Sequence, residues 1–215
     1  MNKIIFEDNH LLVVEKPRNV LVQGDDTKDI DMLTLIKSYL KEKYNKPGNV
    51  YLGLIHRLDR PTGGIMVFAK TSKAASRLSE QIRLNLFTKK YLAIVNGYFD
   101  EKAGVFEDYI LKKEDNSSVI SNLGKYAKLE YEVLKEKSNL SLVNILLHTG
   151  RHHQIRVQFA SRNHPLYGDQ RYGKSSKKQL ALFAYYLSFN HPVTKEKLEF
   201  IKYPDKVGIW KEFIC

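Results

Sequence analysis

The densest concentration of chemistry-bearing residues is His56-Arg57-Leu58-Asp59-Arg60-Pro61-Thr62-Gly63-Gly64. One carboxylate, Asp59, stands between Arg57 and Arg60. Neighbouring cations favour its ionised form, which a nucleophile or base requires. Pro61 fixes a backbone angle and the two glycines admit conformations other residues avoid, so the run reads as a sharp turn. The same pattern also suits a purely structural turn in which Asp59 caps Thr62 or Gly63.

A second concentration is Thr149-Gly150-Arg151-His152-His153-Gln154-Ile155-Arg156. A helix starting near Gly150 would set free amides beside cationic side chains and make an anion site. On that helix His152 and Arg156 would share a face, as would Ile155 and Phe159. Either Arg156 meets the catalytic carboxylate and Arg151 a phosphate, or Arg156 forms a structural ion pair and the histidines lie at the surface. His148, His152 and His153 invite a metal reading, but Gly150 interrupts them and no acidic third ligand is near, so no metal site is expected. Tyr91, directly after Lys89-Lys90, suits a core or rim position, or a ring that stacks on a base. The chain carries no phosphate-cradling loop, dinucleotide fingerprint or activated serine or cysteine signature, so no cofactor is expected.

These residues need a scaffold. The chain has 215 residues, 43% hydrophobic and 27% charged, enough for a sizeable core. Thirty-five Lys and Arg against 24 acids give +11, a surplus that favours a polyanionic partner. Basic residues cluster at 70–83, 89–90, 151–171 and 174–178, interleaved with His and Tyr. The lone cysteine, Cys215, excludes an internal disulfide and a cysteine metal site. No apolar run approaches a membrane span, and the first residues lack a signal peptide. The expected state is a cytoplasmic, monomeric protein with no membrane partner.

The patterning predicts strands over 3–7 and 11–15, a helix over 32–44 capped by Asp31, and a buried strand over 65–69. A helix follows Thr71 or Ser72, with Ala75, Leu78 and Ile82 inward, and then a strand over 91–95. Ala127, Leu129, Tyr131 and Val133 alternate with charged residues, the mark of a half-buried strand, and Leu140–Leu147 is its hairpin partner. A helix over 152–162 and strands over 180–187 and 198–203 complete the reading. Paired strands with few helices favour an α+β fold built on a mixed, mainly antiparallel sheet, in one domain over 1–215.

Taken together the segments resemble the RluA-type family of pseudouridine synthases. His56-Arg57-Leu58-Asp59 followed by Thr62 and Gly64 is similar to the family's catalytic motif, and Tyr91-Leu92-Ala93-Ile94-Val95-Asn96-Gly97 to its tyrosine-bearing strand. His153-Gln154-Ile155-Arg156 is similar to the core of its arginine motif, and His164-Pro165-Leu166-Tyr167-Gly168-Asp169 with Tyr172-Gly173 to the loop that follows. The resemblance implies a pseudouridine synthase fold and an isomerase that converts uridine to pseudouridine in ribosomal or transfer RNA, without a cofactor. It implies that Asp59 acts on a flipped-out nucleotide, that Tyr91 packs on its base, and that Arg156 pairs with Asp59. Arg57 would fill the vacated space, and Arg60, Arg151, His153 and Ile155 would lie against the RNA. Gly63 replaces the family's usual Ser, and Phe183 stands where a histidine is common. The family's N-terminal RNA-binding domain is absent from the pattern, which leaves RNA to the catalytic domain alone.

Overall fold

The computed structural model describes residues 3–25, 27, 29–173 and 178–214. Residues 174–177 of the basic run 174–178, and Cys215, lie outside the described residues. The chain divides into two compact units: Met1–Phe87 with Tyr186–Lys202, and Thr88–Tyr185 with Tyr203–Cys215.

In unit 1 the strands β1 (Lys3–Glu7), β2 (Leu11–Lys16), β3 (Gly53–Leu54) and β4 (Gly63–Ala69) accompany the helices α1 (Met32–Lys43) and α2 (Ser72–Arg83). β2 pairs antiparallel with both β1 and β4, in a register that sets Val13 opposite Val67 and Lys16 opposite Gly64. Every residue of β4 is buried, which explains its unbroken apolar run in place of an alternation. Both helices begin as predicted. The Asp31 carboxylate accepts from the Thr34 amide (2.9 Å), and the Thr71 hydroxyl from the Ala74 amide (3.1 Å). On α2 the buried positions are Ala74, Leu78 and Gln81, with Ala75 and Ile82 only partly covered, so the inward face is turned from the expected one. Gln81 tolerates burial because its amide bonds both main-chain groups of Asn190 (2.7 and 2.9 Å).

In unit 2 the strands β5 (Thr88–Asn96), β6 (Ala103–Lys112), β7 (Ser118–Ile120), β8 (Lys125–Lys137) and β9 (Leu140–Leu147) lie in the order β5-β9-β8-β6-β7, each joined antiparallel to the next. The β8–β9 turn runs through Ser138 and Asn139, both with positive φ (54° and 58°), as a tight hairpin requires. Ala127, Leu129 and Tyr131 point inward as the alternation predicts. A register shift between Val133 and Lys135 then ends it. β10 (Leu182–Asn190) has its first residues in unit 2 and its last in unit 1, where it pairs with β11 (Lys197–Ile201). The fold is α+β, with a mixed, mainly antiparallel sheet and a few helices.

The expected helix over 152–162 is shorter. Helix α3 covers only Gln154–Ala160, because His153 is left-handed (φ 53°) and cannot belong to a right-handed helix. His152 therefore lies outside it and does not share a helical face with Arg156. The idea of an anion site at the start of a helix beginning near Gly150 falls with it. Among the described residues, no helix is long and apolar enough to cross a membrane.

Candidate active site

Asp59 sits in unit 1, in the loop between β3 and β4. The loop closes when the Thr62 amide donates to the Asp59 main-chain carbonyl (3.0 Å). The turn is thus closed through backbone at Thr62. Gly64 takes a φ of 131°, open to glycine, which is the freedom the sequence anticipated at this pair.

What fastens the loop is Lys16, at the end of β2. Its side chain is almost fully buried, and its ammonium donates to the carbonyls of Thr62 (2.7 Å), Arg60 (3.0 Å) and Pro17 (3.0 Å). Burial pulls the Lys16 ammonium down to about 7; the charge of Asp59 works against that shift and Arg60 adds to it. A cation under three carbonyls and beside one carboxylate is a rigid floor for the turn. Nothing in the local sequence marked it.

The two arginines beside Asp59 divide their work. Arg60 pairs with Asp29 (2.5 Å) and also donates to the Asn19 carbonyl (3.3 Å), so its guanidinium already serves the loop. Arg57 is exposed and has no partner among the described residues. His56 accepts from the Val67 amide at 3.2 Å and anchors the approach to the turn on β4.

Tyr91 and Arg156 belong to unit 2. Tyr91 is a buried residue of β5, opposite Ile145 of β9. Arg156, on α3, is 6% exposed and makes a two-pronged pair with Asp169, Nε to Oδ2 at 2.8 Å and Nη2 to Oδ1 at 2.7 Å. Burial alone would push the Asp169 carboxyl up. The hydrogen bonds and charge of Arg156, with the amides of Tyr172 and Arg171, outweigh it and hold the carboxyl below its usual range. The guanidinium carbon also stands 5.2 Å from the centre of the Tyr172 ring. Asp169 was quoted in the sequence only as part of a loop motif. Its place as the one acid in a stretch rich in Arg and His was the signal available.

The remaining candidates also lie in unit 2. His153 bonds the Tyr172 hydroxyl through Nδ1 (2.8 Å). Ile155 is buried in α3. Arg151 is exposed, with Nε on the Tyr126 carbonyl (2.8 Å). The turn bearing it is pinned by Gln154, whose Oε1 accepts from the Thr149 hydroxyl (2.8 Å) and the Arg151 amide (3.0 Å). His148 is engaged with Glu130 and His152 with Ser118. Among the described residues no group of three or more His, Cys, Asp or Glu could hold a metal ion.

Comparison with known proteins gives this arrangement a context. The profile of a family described as RNA pseudouridylate synthase matches residues 10–161. A ribosomal large subunit pseudouridine synthase C of Buchnera aphidicola is 30% identical over 95% of this chain and 67% of its own length. An uncharacterized RNA pseudouridine synthase of Aquifex aeolicus is 35% identical over 92% of this chain and 67% of its own. The chain thus spans about two thirds of the length of these relatives. Among solved structures, human RNA pseudouridylate synthase domain containing 4 superposes with a TM-score of 0.79 at 26% identity, covering 94% of this chain and 89% of that one.

Proposed function

Because the chain belongs to the RNA pseudouridylate synthase family, we propose that it isomerises uridine in ribosomal or transfer RNA, with Asp59 as the catalytic carboxylate. The names of the relatives favour ribosomal RNA of the large subunit as the first target to try. In this reaction the bond from the ribose C1′ to N1 of uracil breaks. The base turns, a bond from C1′ to C5 forms, and the proton on C5 departs while N1 gains one. Nothing is oxidised or reduced and no group is imported, so the chain's own acid, base and binding groups suffice.

A stacked uridine cannot offer its sugar to a carboxylate, so the nucleotide must first be extruded, at a cost of a few kcal/mol. Arg57, exposed and without a partner among the described residues, is suited to fill the space left behind. Asp59 then acts on the extruded nucleotide, as nucleophile or base. Tyr91 packs on the base and helps remove the C5 proton, and Arg156 pairs with Asp59 to keep it charged. Asp169 would hold the Arg156 guanidinium in the plane and orientation that this pairing needs.

The observation that supports this reading is the Asp59 turn itself, a loop fastened by the Lys16 ammonium at the carbonyls of Arg60 and Thr62. Such anchoring provides the preorganisation that a reacting group requires. The test is Asp59→Asn, assayed by release of tritium from C5-labelled uridine in RNA. The variant is expected to bind RNA and release no label. Turnover at the wild-type rate would refute the assignment.

A further inference from the structure

Lys89 of β5 has a role that the catalytic reading leaves unused. It is half-buried, and among the described residues it has no hydrogen-bond or ion-pair partner. Its Nζ lies 3.8 Å from the point where a Cβ would stand at Gly150, and among the described residues, the chain neighbours of Gly150 aside, nothing else comes within 4 Å of that point. The next residue is Arg151. Its Nε is committed to the Tyr126 carbonyl, while its terminal guanidinium nitrogens have no partner among the described residues.

A cation thus stands over a bare glycine whose chain neighbour carries a second, and among the described residues neither cation has a carboxylate partner. The acids of the adjoining strands are occupied elsewhere: Glu107 by Tyr126 and Lys128, Glu130 by His148. Burial and the charge of Arg151 both pull the Lys89 ammonium down, so both the burial and the neighbouring charge oppose its ionised form. An arriving anion would offset both through its opposite charge. Gln154 pins the main chain of the turn, and the Nε bond to the Tyr126 carbonyl holds the second cation in place. In a strand, residues two apart share a face, which puts Lys89 on the face of β5 that carries Tyr91.

We infer that Lys89 and Arg151 together grip one phosphodiester of the RNA strand, across Gly150, and so set the position of the nucleotide presented to Tyr91. The inference rests on the reading of the chain as an RNA-modifying enzyme, and it adds a backbone anchor to that reading. Phosphate contacts carry no sequence information but fix register and orientation. A small glycine between the cations is what lets a phosphate reach both.

The test measures binding, so its outcome is separate from that of the Asp59 assay. A single-stranded, uridine-containing oligoribonucleotide is titrated by fluorescence anisotropy, with each linkage replaced in turn by an uncharged methylphosphonate. Wild-type protein is expected to lose affinity, on the order of tenfold, at one linkage. Lys89→Met and Arg151→Gln should each bind the unmodified strand more weakly by a similar factor and become indifferent to that linkage. Lys89→Arg should keep the response. The slope of log affinity against log salt should fall by about 0.7 in Lys89→Met. Thermal melting verifies that this variant folds; an apolar isostere of a half-buried, unpaired lysine is expected to melt no lower than wild type. Wild-type affinity and salt slope in Lys89→Met, or an unchanged response to the linkage series, would overturn the inference.

Discussion

At the scale of single residues, the catalytic candidate Arg156 has its ion-pair partner in Asp169, beyond the end of its own helix. Arg156 and Asp169 are both buried, at 6% and 2% exposure, so neither charge is solvated enough to stand alone. Removing the acid deprives the buried guanidinium of its two-pronged partner. Asp169→Asn is therefore expected to cost about 3 kcal/mol of stability, read as a lower urea midpoint. On the proposed reading, in which Arg156 is catalytic, it should slow tritium release more than it weakens RNA binding. Normal stability in this variant would show that the pair contributes little.

At the scale of elements, unit 1 relies on a polar clasp as well as on its apolar core. Glu7 at the end of β1 accepts from Tyr39 (3.0 Å) and Lys43 (2.7 Å) of α1, from Tyr44 just beyond it (2.6 Å), and from Lys70 after β4 (2.9 Å). Burial works to raise the Glu7 carboxyl, but these four donors prevail and bring it to about 2 from 4.5. Between those values the unfolded chain takes up a proton that the folded one refuses. This contribution is complete above pH 4.5 and disappears as the pH falls towards 2. Urea melts from pH 7 down to pH 2 should show wild type losing stability across that window. Glu7→Gln should be weaker at neutral pH and flatter below it. Equal slopes in the two proteins would remove Glu7 from the account.

β6 illustrates the opposite case, an element the sequence concealed. Its inward residues are Phe106, Asp108 and Ile110, and the acid breaks the apolar alternation. The fold tolerates Asp108 because Gln158 (2.7 Å) and Arg162 (3.0 and 3.1 Å), from α3 and just beyond it, satisfy both oxygens. No local rule could have supplied those donors.

At the scale of the whole molecule, the chain leaves unit 1 after Phe87 and returns to it at Tyr186. The returning segment brings Leu187 and Phe189 to the unit 1 core, and the Phe189 ring stacks on Phe87 at 5.0 Å and 14°. A fragment ending at residue 87 lacks that cover and is expected to be unfolded by circular dichroism. A fusion of 1–87 to 186–202 through a flexible linker should recover secondary structure and a cooperative melt. A folded 1–87 fragment would mean that the returning strand is dispensable.

The sequence by itself determined what acts over short distances. The Asp31 and Thr71 caps, the alternation in β8, the apolar run in β4 and the glycine conformation at 64 were legible because each is settled within a few residues. The ordered motifs around Asp59, Tyr91 and Arg156 likewise marked the family. Only the tertiary structure decided who partners whom. Lys16 reaches Thr62 across 46 positions, Arg156 takes Asp169 as a counter-ion, and Lys89 comes up to Gly150, beside Arg151 in the chain. The physical reason is that an ion's partner is fixed by which strands and turns the fold brings together, and burial then makes each such choice costly to undo.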